Sequence, residues 1–533
     1  MPNLSRRQLA GALALGAAAP AFLSRRAHAQ DRGTLRFVPH ADLSILDPLG
    51  STANIVKMHA YMVYDTLFAL DEGFTPRPQM VQDHTLSDDR RTWRFRLREG
   101  LRWHDGTPVT AEDCVASLRR WGARDAAGQL MMRMTENLRA VDDRVFELKL
   151  TRPYGIVLES FSKVASNVPF MMPKRLAETD PFTAITDPTG SGPFRFVRGE
   201  WDPGSKVVYE KFDGYAPRAE APSAFAGGKV VKLNRVEWVT IRDQQTAMGA
   251  LQSGQVDLWE APIMDLLPVL KAMRGVQTRV INKTGTQGQI YFNHTIPPFD
   301  NAKARQAMFW LTKQEDYLQA ISGNPDYYRT CASFFACGTP MANEAGSEPL
   351  LHPNAEKAKA LFREAGWDFA QPIVLLDPVD EGIAHPATLV TAQAMRAIGL
   401  NVDAQALDWA TALRRRNSTT PVSQGGWNIL HSYNSTIGMS TPVWSVAYSG
   451  ACDKGLFGQP CDAKLEDLRL DWALAEGRDA QLAIAKAYQE RAFETGHHVP
   501  LGQWTSYIAH RNAVTGILDS LDVSVFWNLE KTA

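Results

Sequence analysis

Hydrophobic and polar residues alternate along several short stretches, which indicates half-buried β-strands. In "TWRFRL", Trp93, Phe95 and Leu97 alternate with arginines, and a strand places alternate residues on opposite faces. The stretch "RVFELKL" repeats this pattern with Phe146 and Leu148. We therefore predict a strand over each stretch.

Other stretches have the period of a helix. Thr110 and Asp113 have the spacing of a capping box, which starts many helices. In "NAEKAKALFREAGW", Ala358 and Phe362 fall on one helical face, and Gly366 is placed to end the helix. Strands and helices mix throughout, which indicates an α/β or α+β chain. The 533 residues are too many for one core, so we expect two or three domains.

The N-terminus has the pattern of a secretory signal. Arg6 and Arg7 precede an apolar run over residues 9–23, and an A-x-A-like cleavage site ends at Ala29. The run is too short to cross about 30 Å of hydrocarbon as a helix. We predict a cleavable signal peptide over residues 1–29 and a periplasmic protein. "SRRQL" resembles a twin-arginine signal, with the general secretory route as the alternative.

Removal of this signal makes the chain mildly acidic. It takes away four arginines and no acidic residue, so the formal net charge changes from −1 to −5. An acidic balance argues against a nucleic-acid partner, whose phosphates require a basic surface. No later stretch has 18 uninterrupted apolar residues, so we expect a soluble mature protein, and a monomer.

The cysteines agree with export. Cys331 and Cys337 are six residues apart, and Cys452 and Cys461 are nine apart, each pair around a loop-like stretch. In an oxidising compartment these spacings predict two local disulfides. Cys114 falls in an apolar helical pattern and is predicted to be buried. A zinc site is the rival interpretation, but the CxxC spacing and nearby histidines that zinc prefers are absent.

The segment "GGWNILHSYNSTIGMSTPVWSVAYSG", residues 425–450, contains no Asp, Glu, Lys or Arg. It is rich in aromatic rings with a polar edge and in groups that donate and accept hydrogen bonds. We predict that it contacts an uncharged part of a small solute; burial for packing alone is the alternative. The candidate ligand-binding residues in it are Trp427, Asn428, His431, Ser432, Tyr433, Asn434 and Trp444.

Several motifs follow one another in an order known from one family. They are "VYDTLFALD", "WRFRLREGLRWHDGTPVTAEDCVASLRR", "GSGPFRF", "MGALQSGQVDL", "YFNHTIPPFDNAKARQAMFWLT" and "LFREAGW". The chain resembles the extracytoplasmic solute-binding proteins of ABC importers, in the peptide/nickel-type class that includes oligopeptide- and dipeptide-binding proteins. The resemblance covers about Leu35 to Trp527, and "WHDGTPVT" is its most specific motif.

This resemblance implies an α/β fold of the type II periplasmic binding proteins, two-lobed with an extra inserted domain and a hinged cleft. Lobe I would comprise residues 31–57, 190–282 and 500–533, the inserted lobe II residues 58–189, and lobe III residues 283–499. The ligand would lie between lobes I and III and stabilise their closed arrangement.

The peptide binders of this family place an Asp a few residues after a Gly-Trp pair, where it pairs with the ligand's ammonium group. Gly426-Trp427 is present here, but no carboxylate follows before Asp453. Either another acid, with Asp42 and Asp408 as candidates, replaces it, or the ligand has no free amine there. The further candidates for the cleft are Trp409, Tyr291, Asn293, Asp42, Ser44 and Trp504.

An enzyme is the rival class of protein. The chain contains no G-x-S-x-G, H-E-x-x-H or G-x-x-x-x-G-K-[ST] motif. His40, His59 and His431 could approach one another and hold a metal complex, since relatives carry nickel or haem. We nevertheless predict a binding protein without cofactor or resident metal. It would carry peptides or peptide-like solutes to a membrane permease and its ATPases, with opine-like or saccharide-like solutes as the alternative.

Overall fold

The computed structural model describes residues 33–532. The predicted signal segment, with Arg6, Arg7 and Ala29, therefore lies outside the described residues. The described chain forms three main β-sheets of seven, six and four strands. We call them the first, second and third sheet, in that order.

The first sheet takes its strands from three distant parts of the chain. Its central strand, Thr34–Val38, runs parallel to both neighbours, Arg235–Val239 and Leu258–Trp259. Leu35 and Phe37 are fully buried, as expected for a central strand. Across the sheet the order is Phe194–Phe196, Lys206–Lys211, Arg235–Val239, Thr34–Val38, Leu258–Trp259, Ile508–Arg511 and Val276–Arg279.

The second sheet is mixed. Its strand Ile429–Ser435 is antiparallel to Thr286–Phe292 on one side and parallel to Ile373–Pro378 on the other. Parallel pairing brings the carboxyl ends of Ile373–Pro378 and Val402–Leu407 to one edge. Across the sheet the order is Tyr328–Arg329, His498–Trp504, Thr286–Phe292, Ile429–Ser435, Ile373–Pro378 and Val402–Leu407.

The third sheet is antiparallel and confirms both alternating stretches. In Thr92–Leu97, Phe95 and Leu97 are buried while the intervening arginines are exposed. Its order is Val81–Leu86, Thr92–Leu97, Val145–Leu150 and Thr135–Ala140. Small two-stranded sheets pair Asp65–Thr66 with Phe170–Met171, Phe68–Leu70 with Pro76–Pro78, and Val514–Thr515 with Glu530–Lys531.

The helices begin and end as the sequence signals indicate. Thr110 and Asp113 form the predicted capping box, each side chain accepting the other's backbone N–H. None of the helices within residues 33–532 combines the length and apolar character of a membrane span. The α-helices are Asn54–Val63, Ala111–Arg124, Ala126–Arg133, Val157–Phe161, Lys174–Ala177, Gln244–Ser253, Leu267–Ala272, Ala302–Leu311, Gln314–Ser322, Glu348–Leu351, Ala355–Glu364, Ala384–Ala397, Trp409–Arg415, Ala463–Leu474 and Arg478–Thr495. The 3₁₀ turns are Arg198–Glu200, Met264–Leu266, Pro325–Tyr327, Val422–Gln424, Val446–Tyr448 and Cys452–Lys454.

The chain passes between the first and second sheets at residues 280–285 and again at residues 505–507. The strand His498–Trp504 lies wholly in the second sheet, so the predicted division between residues 499 and 500 falls inside a strand. The helix Asn54–Val63 likewise spans the predicted division between residues 57 and 58. Divisions after Trp504 and before Asn54 keep both elements whole.

The part of the chain that holds the third sheet touches the part that holds the second. Gly155 donates its N–H to the carbonyl of Ala473 at 3.0 Å. A Cβ on Gly155 would lie 1.9 Å from the carbonyl oxygen of Ala475, so only glycine fits this approach. Arg90 and Glu476 add an ion pair of 2.7 Å nearby.

The predicted disulfides are present. Cys331 is bonded to Cys337, and Cys452 to Cys461. Cys114 is free and buried, as predicted. Both disulfides lie in connections that pack beside the second sheet. The Cys337 N–H bonds to Gln503, and the carbonyl of Gly458, between Cys452 and Cys461, accepts the His294 N–H just after the strand Thr286–Phe292.

Candidate ligand-binding cleft

The strand Ile429–Ser435 becomes more exposed along its length. Its first three residues are buried and its last four are half-exposed. At the exposed end, Ser435 donates its Oγ–H to Asp522 at 2.6 Å. Asp522 lies in the C-terminal stretch that packs on the first sheet through Phe526 and Phe37. The half-exposed end therefore faces the first sheet, and we call the region where Ser432–Ser435 face Asp522 the interlobe cleft.

The first-sheet side of the cleft starts at the carboxyl ends of two neighbouring parallel strands. His40 follows Thr34–Val38, and Glu260 follows Leu258–Trp259. Such strand ends are common ligand sites in open α/β sheets. The Glu260 carboxylate lies 2.7 Å from His40 Nδ1 and also accepts the His40 N–H at 3.0 Å.

The His40–Glu260 contact controls the charge of both groups. Burial would lower the pKa of His40, but the charge and hydrogen bond of Glu260 raise it above its ordinary value. Burial would raise the pKa of Glu260, but His40 holds it below its ordinary value. The pair therefore favours the charged state of each partner.

A second buried pair joins several parts of the chain. The Lys57 ammonium donates to the Asp522 carboxylate and to the carbonyl of Val164. The side chains of Lys57 and Asp522 are only 7% and 2% exposed, so their charges are largely shielded from water. Asp522 lies close enough to raise the pKa of His40, and Lys57 lowers it. These groups form one charged cluster on the first-sheet side.

The second-sheet side carries a polar group next to an arginine. Asn434 donates to Tyr291 Oη at 2.9 Å and to Gln289 Oε1 at 3.0 Å. The Arg416 guanidinium lies 4.5 Å from the centre of the Phe457 ring. Its Nε is buried and has no hydrogen-bond partner among residues 33–532. The Arg416 charge acts against the rise in the Tyr291 pKa that burial causes, so Arg416 is a half-buried cation next to Tyr291 and its partner Asn434.

Tyr433 points to the opposite face of the same strand. Its hydroxyl donates to Glu381 Oε1 at 3.3 Å, and its ring meets Trp504 with centroids 6.3 Å apart. Burial and the Glu381 charge raise the pKa of Tyr433 to about 12. Glu381 Oε2 accepts the N–H groups of Ile383 and Ala384 at the start of a helix.

Two predicted ligand contacts lie at the other end of the strand. Trp427 is fully buried in a cluster with Leu376, Ala412 and Leu430. Asn428 accepts the Val374 N–H at 2.9 Å and donates to the Pro297 carbonyl at 2.8 Å. Extended strand of about 13 Å separates Asn428 from Ser432, the first residue of the cleft. The environment of Trp427 and Asn428 is that of core residues, which differs from the predicted contact with a ligand.

His431 and Asn293 are also held by the protein itself. His431 lies between the hydroxyls of Thr388 and Thr391, at 3.0 and 2.6 Å, and burial lowers its pKa to about 3. Asn293 accepts from Thr295 and donates to the Ser418 carbonyl. Alternate residues of a strand face opposite sides, and His431 lies on the side that faces the helix Ala384–Ala397. The residue type alone does not predict which side a histidine takes.

The remaining predicted residues are spread over the cleft and its surroundings. Trp409 is half-buried against the Trp427 cluster, and Trp444 is buried. Ser44 is exposed. Asp42 accepts the Gly204 N–H at 2.8 Å, and its other carboxylate oxygen is buried without a partner among residues 33–532.

The uncharged segment is therefore partly core and partly cleft wall. Tyr448 is fully buried, and Thr436 bonds to Thr284 and the Gly285 carbonyl. Only Ser432–Ser435 are half-exposed at the cleft. Burial for packing describes the buried part of the segment, and contact with a solute stays a prediction for Ser432–Ser435.

Sequence reasoning missed four charged residues of the cleft. A usable signal existed for Glu260, which lies two residues after the motif "MGALQSGQVDL". Another existed for Arg416, because residues 417–452, which directly follow it, contain no Asp, Glu, Lys or Arg. Lys57 and Asp522 had no local signal, because their meeting depends on a sequence separation of 465 residues.

The structure separates the three histidines considered for a metal complex. His59 is buried against Tyr209, 2.9 Å from its hydroxyl, while His40 and His431 have the partners given above. Within residues 33–532, no group of three or more His, Cys, Asp or Glu side chains is arranged to hold a metal ion.

Two β-sheets that face each other across a cleft, with a further inserted sheet, define a type II periplasmic binding protein. Residues 75–445 match the family model of bacterial extracellular solute-binding proteins, family 5 (middle). The chain belongs to this family, whose members bind solutes outside the cytoplasm.

Relatives support the assignment along the whole chain. A "Probable peptide ABC transporter periplasmic-binding protein" from Sinorhizobium fredii is 35% identical over 99% of this chain and 100% of its own length. The solved structure of an oligopeptide-binding protein from Bacillus subtilis with a nonapeptide has a TM-score of 0.76 at 18% identity, covering 94% of this chain and 99% of that one. The protein AgaA from A. tumefacien R10, with agropinic acid, also has a TM-score of 0.76, at 20% identity and the same coverage.

Proposed function

We propose that this chain is the periplasmic substrate-binding component of an ABC importer for peptides or peptide-like solutes. The observation that carries the binding role is the interlobe cleft, where polar and charged side chains from two sheets converge. The peptide class is supported by the full-length relative from Sinorhizobium fredii, which is named as a peptide-binding component.

The chemistry of the cleft fits binding and release without catalysis. Ser432–Ser435 pair with Thr286–Gln289 on one side, while the pairing with Ile373–Pro378 on the other side stops at Leu430. Their second backbone edge and their side chains can hydrogen-bond an extended ligand. Arg416 supplies a cation for a carboxylate, and the Lys57–Asp522 cluster supplies both signs of charge. The ligand would bridge the two sides and stabilise the closed arrangement by its greater affinity for it.

We also propose that the chain is exported and acts together with membrane partners. The twin-arginine-like signal of residues 1–29 would direct the chain to the periplasm and then be removed. The mature protein would act as a monomer and deliver its ligand to a membrane permease that is driven by ATPase subunits. It would carry out no chemical step.

A non-peptide polar solute such as an opine is the second candidate. The observation that favours it is the absence of any acidic residue between Asn417 and Cys452, where peptide binders of this class carry the acid for the ligand ammonium. Arg416 would then bind a carboxylate of the solute.

We expect peptides of two to five residues to stabilise the mature protein after it has been unfolded and refolded to remove carried-over ligand. A ligand at 100 times its dissociation constant adds about 2.7 kcal/mol to the free energy of unfolding. A thermal-shift screen of peptides, opines, sugars and divalent metals measures this directly. Stabilisation by a sugar or opine alone would contradict the peptide assignment.

Arg416→Ala is expected to weaken binding of a carboxylate-bearing ligand by about tenfold or more, because hydrogen bonds to charged groups contribute about 1.5–3 kcal/mol. Arg414→Ala is the matched control, since Arg414 lies two residues earlier in the last turn of the helix Trp409–Arg415, is exposed and bonds only locally to Thr411 among the described residues. Isothermal titration calorimetry gives both dissociation constants. Equal affinity of the two variants would remove Arg416 from the site.

A further inference from the structure

A free peptide brings an ammonium group that needs a negative partner. Burying an ammonium without one costs several kcal/mol. The cleft wall Ser432–Ser435 contains no carboxylate, and neither does the rest of the uncharged segment around it. The acid must therefore come from another part of the chain.

Two of the nearby acidic residues already accept hydrogen bonds that stabilise helix starts. Asp408 is exposed and caps the helix Trp409–Arg415 by accepting the Thr411 N–H and hydroxyl. Glu381 caps the helix Ala384–Ala397 with one oxygen and accepts the Tyr433 hydroxyl with the other. A ligand ammonium at either acid would compete with these hydrogen bonds.

Glu260 and Asp42 are less suitable on geometric grounds. One Glu260 oxygen accepts two hydrogen bonds from His40, and the other accepts from Ser524 at 3.3 Å. Asp42 has a free oxygen, but its partner, the Gly204 N–H, belongs to the first-sheet side alone. No hydrogen bond or ion pair joins the Asp42 side chain to the second sheet within the described residues.

Asp522 differs because it meets both sides of the cleft. One oxygen accepts from Lys57 and the other from Ser435, which is the last residue of the cleft strand. A carboxylate offers about four lone-pair positions, so these two contacts leave capacity for another donor. Separation of the two sheets would break the Ser435 contact and uncover this oxygen to an incoming ligand.

The carboxylates of the cluster are already balanced by its cations. Asp522 and Glu260 contribute two negative charges, and Lys57 contributes one positive charge. The contact with Glu260 favours the charged state of His40, so the four groups carry a formal charge of zero, in a region where Lys57 and Asp522 are almost fully buried. The choice of Asp522 therefore rests on its position between the two sides of the cleft.

We infer that Asp522 receives the ammonium group of the ligand, and that Lys57 is a positioning residue that holds the carboxylate in place. The inference rests on the proposed function and specifies its ligand as a peptide or amino-acid derivative with a free amine. The carboxylate that peptide binders carry shortly after the Gly-Trp pair would then be supplied here by the C-terminal tail.

The test compares Asp522→Asn with the wild type, using trialanine and N-acetyl-trialanine as probes in isothermal titration calorimetry. We expect trialanine to bind the variant at least about 30-fold more weakly, as for loss of one partner of a buried charge pair. The preference for trialanine over its acetylated form should disappear. Asp522→Glu should restore part of that preference.

Asp519→Asn is the matched control. It removes the same charge three residues earlier, where the carboxylate pairs with Arg279 and Lys283 near the surface, and it should leave both affinities unchanged. Asp522→Asn leaves Lys57 without its charge partner, so the double variant Lys57→Met/Asp522→Asn provides a folded alternative in which neither charge is left alone.

The outcomes separate this inference from the proposed function. Tight binding of trialanine by the wild type with an unchanged acetylation preference in both Asp522 variants would overturn the inference and leave the peptide function standing. An equal loss of affinity for both probes would indicate a purely structural role and also overturn it. Failure of trialanine and of all other free-amine peptides to bind the wild type would overturn both.

Discussion

Trp427→Ala is expected to lower the free energy of unfolding by about 3–5 kcal/mol, the range for truncation of a large buried aromatic residue. The ring is fully buried and packs against Leu376, Ala412 and Leu430. Its removal leaves a cavity, and the neighbouring Gly458 has no side chain that could fill it. Urea unfolding measures the change.

The same variant distinguishes a core role from a ligand contact. Because Trp427 lies at the far end of the cleft strand, the folded variant should keep its ligand dissociation constant within about threefold. Phe182→Ala, which truncates a ring that is 71% exposed, is the control and should change stability little. A large loss of ligand affinity with an unchanged free energy of unfolding would show that Trp427 contacts the ligand.

Stability is also expected to fall steeply below pH 6.5. Burial lowers the pKa of His59 and His431 to about 3, whereas an unfolded histidine titrates near 6.5. Below that pH the unfolded chain binds protons that the folded chain does not, so each histidine costs about 2 kcal/mol between pH 7 and pH 5. His40 acts in the opposite direction, since Glu260 outweighs burial and raises its pKa.

Urea midpoints at pH 7, 6 and 5 test this expectation. The variant His431→Gln should lose about 2 kcal/mol less than the wild type over this range, whatever its stability at pH 7. His352→Gln, at an exposed histidine, should have the slope of the wild type. An unchanged slope in His431→Gln would mean that His431 takes up its proton in the folded protein.

Local patterns predicted those features that depend on residues close in sequence. The alternation around Phe95 and the capping box at Thr110 each involve a few neighbouring residues, so propensity and burial act together there. The two disulfides close short loops and were likewise readable from spacing. The order of motifs was enough to indicate the family.

The cleft was only partly accessible to the same reasoning. The lack of charge marks out the segment in the sequence, and its half-exposed residues Ser432–Ser435 lie at the end that contacts Asp522. Its composition did not reveal where the strand passes from core to cleft, so Trp427 and His431 were grouped with Tyr433 and Asn434. The difference arises from the position of the strand between the two sheets.

The sequence by itself determined the α/β class, the local elements, the disulfide pairs and the family of solute-binding proteins. Only the tertiary structure decided which polar residues meet at the cleft. Lys57 and Asp522 are 465 residues apart, and His40 and Glu260 are 220 apart. Such pairs form because distant parts of the chain meet at the same sheet edge, where burial strengthens the attraction between opposite charges. Local periodicity in the sequence does not predict that meeting.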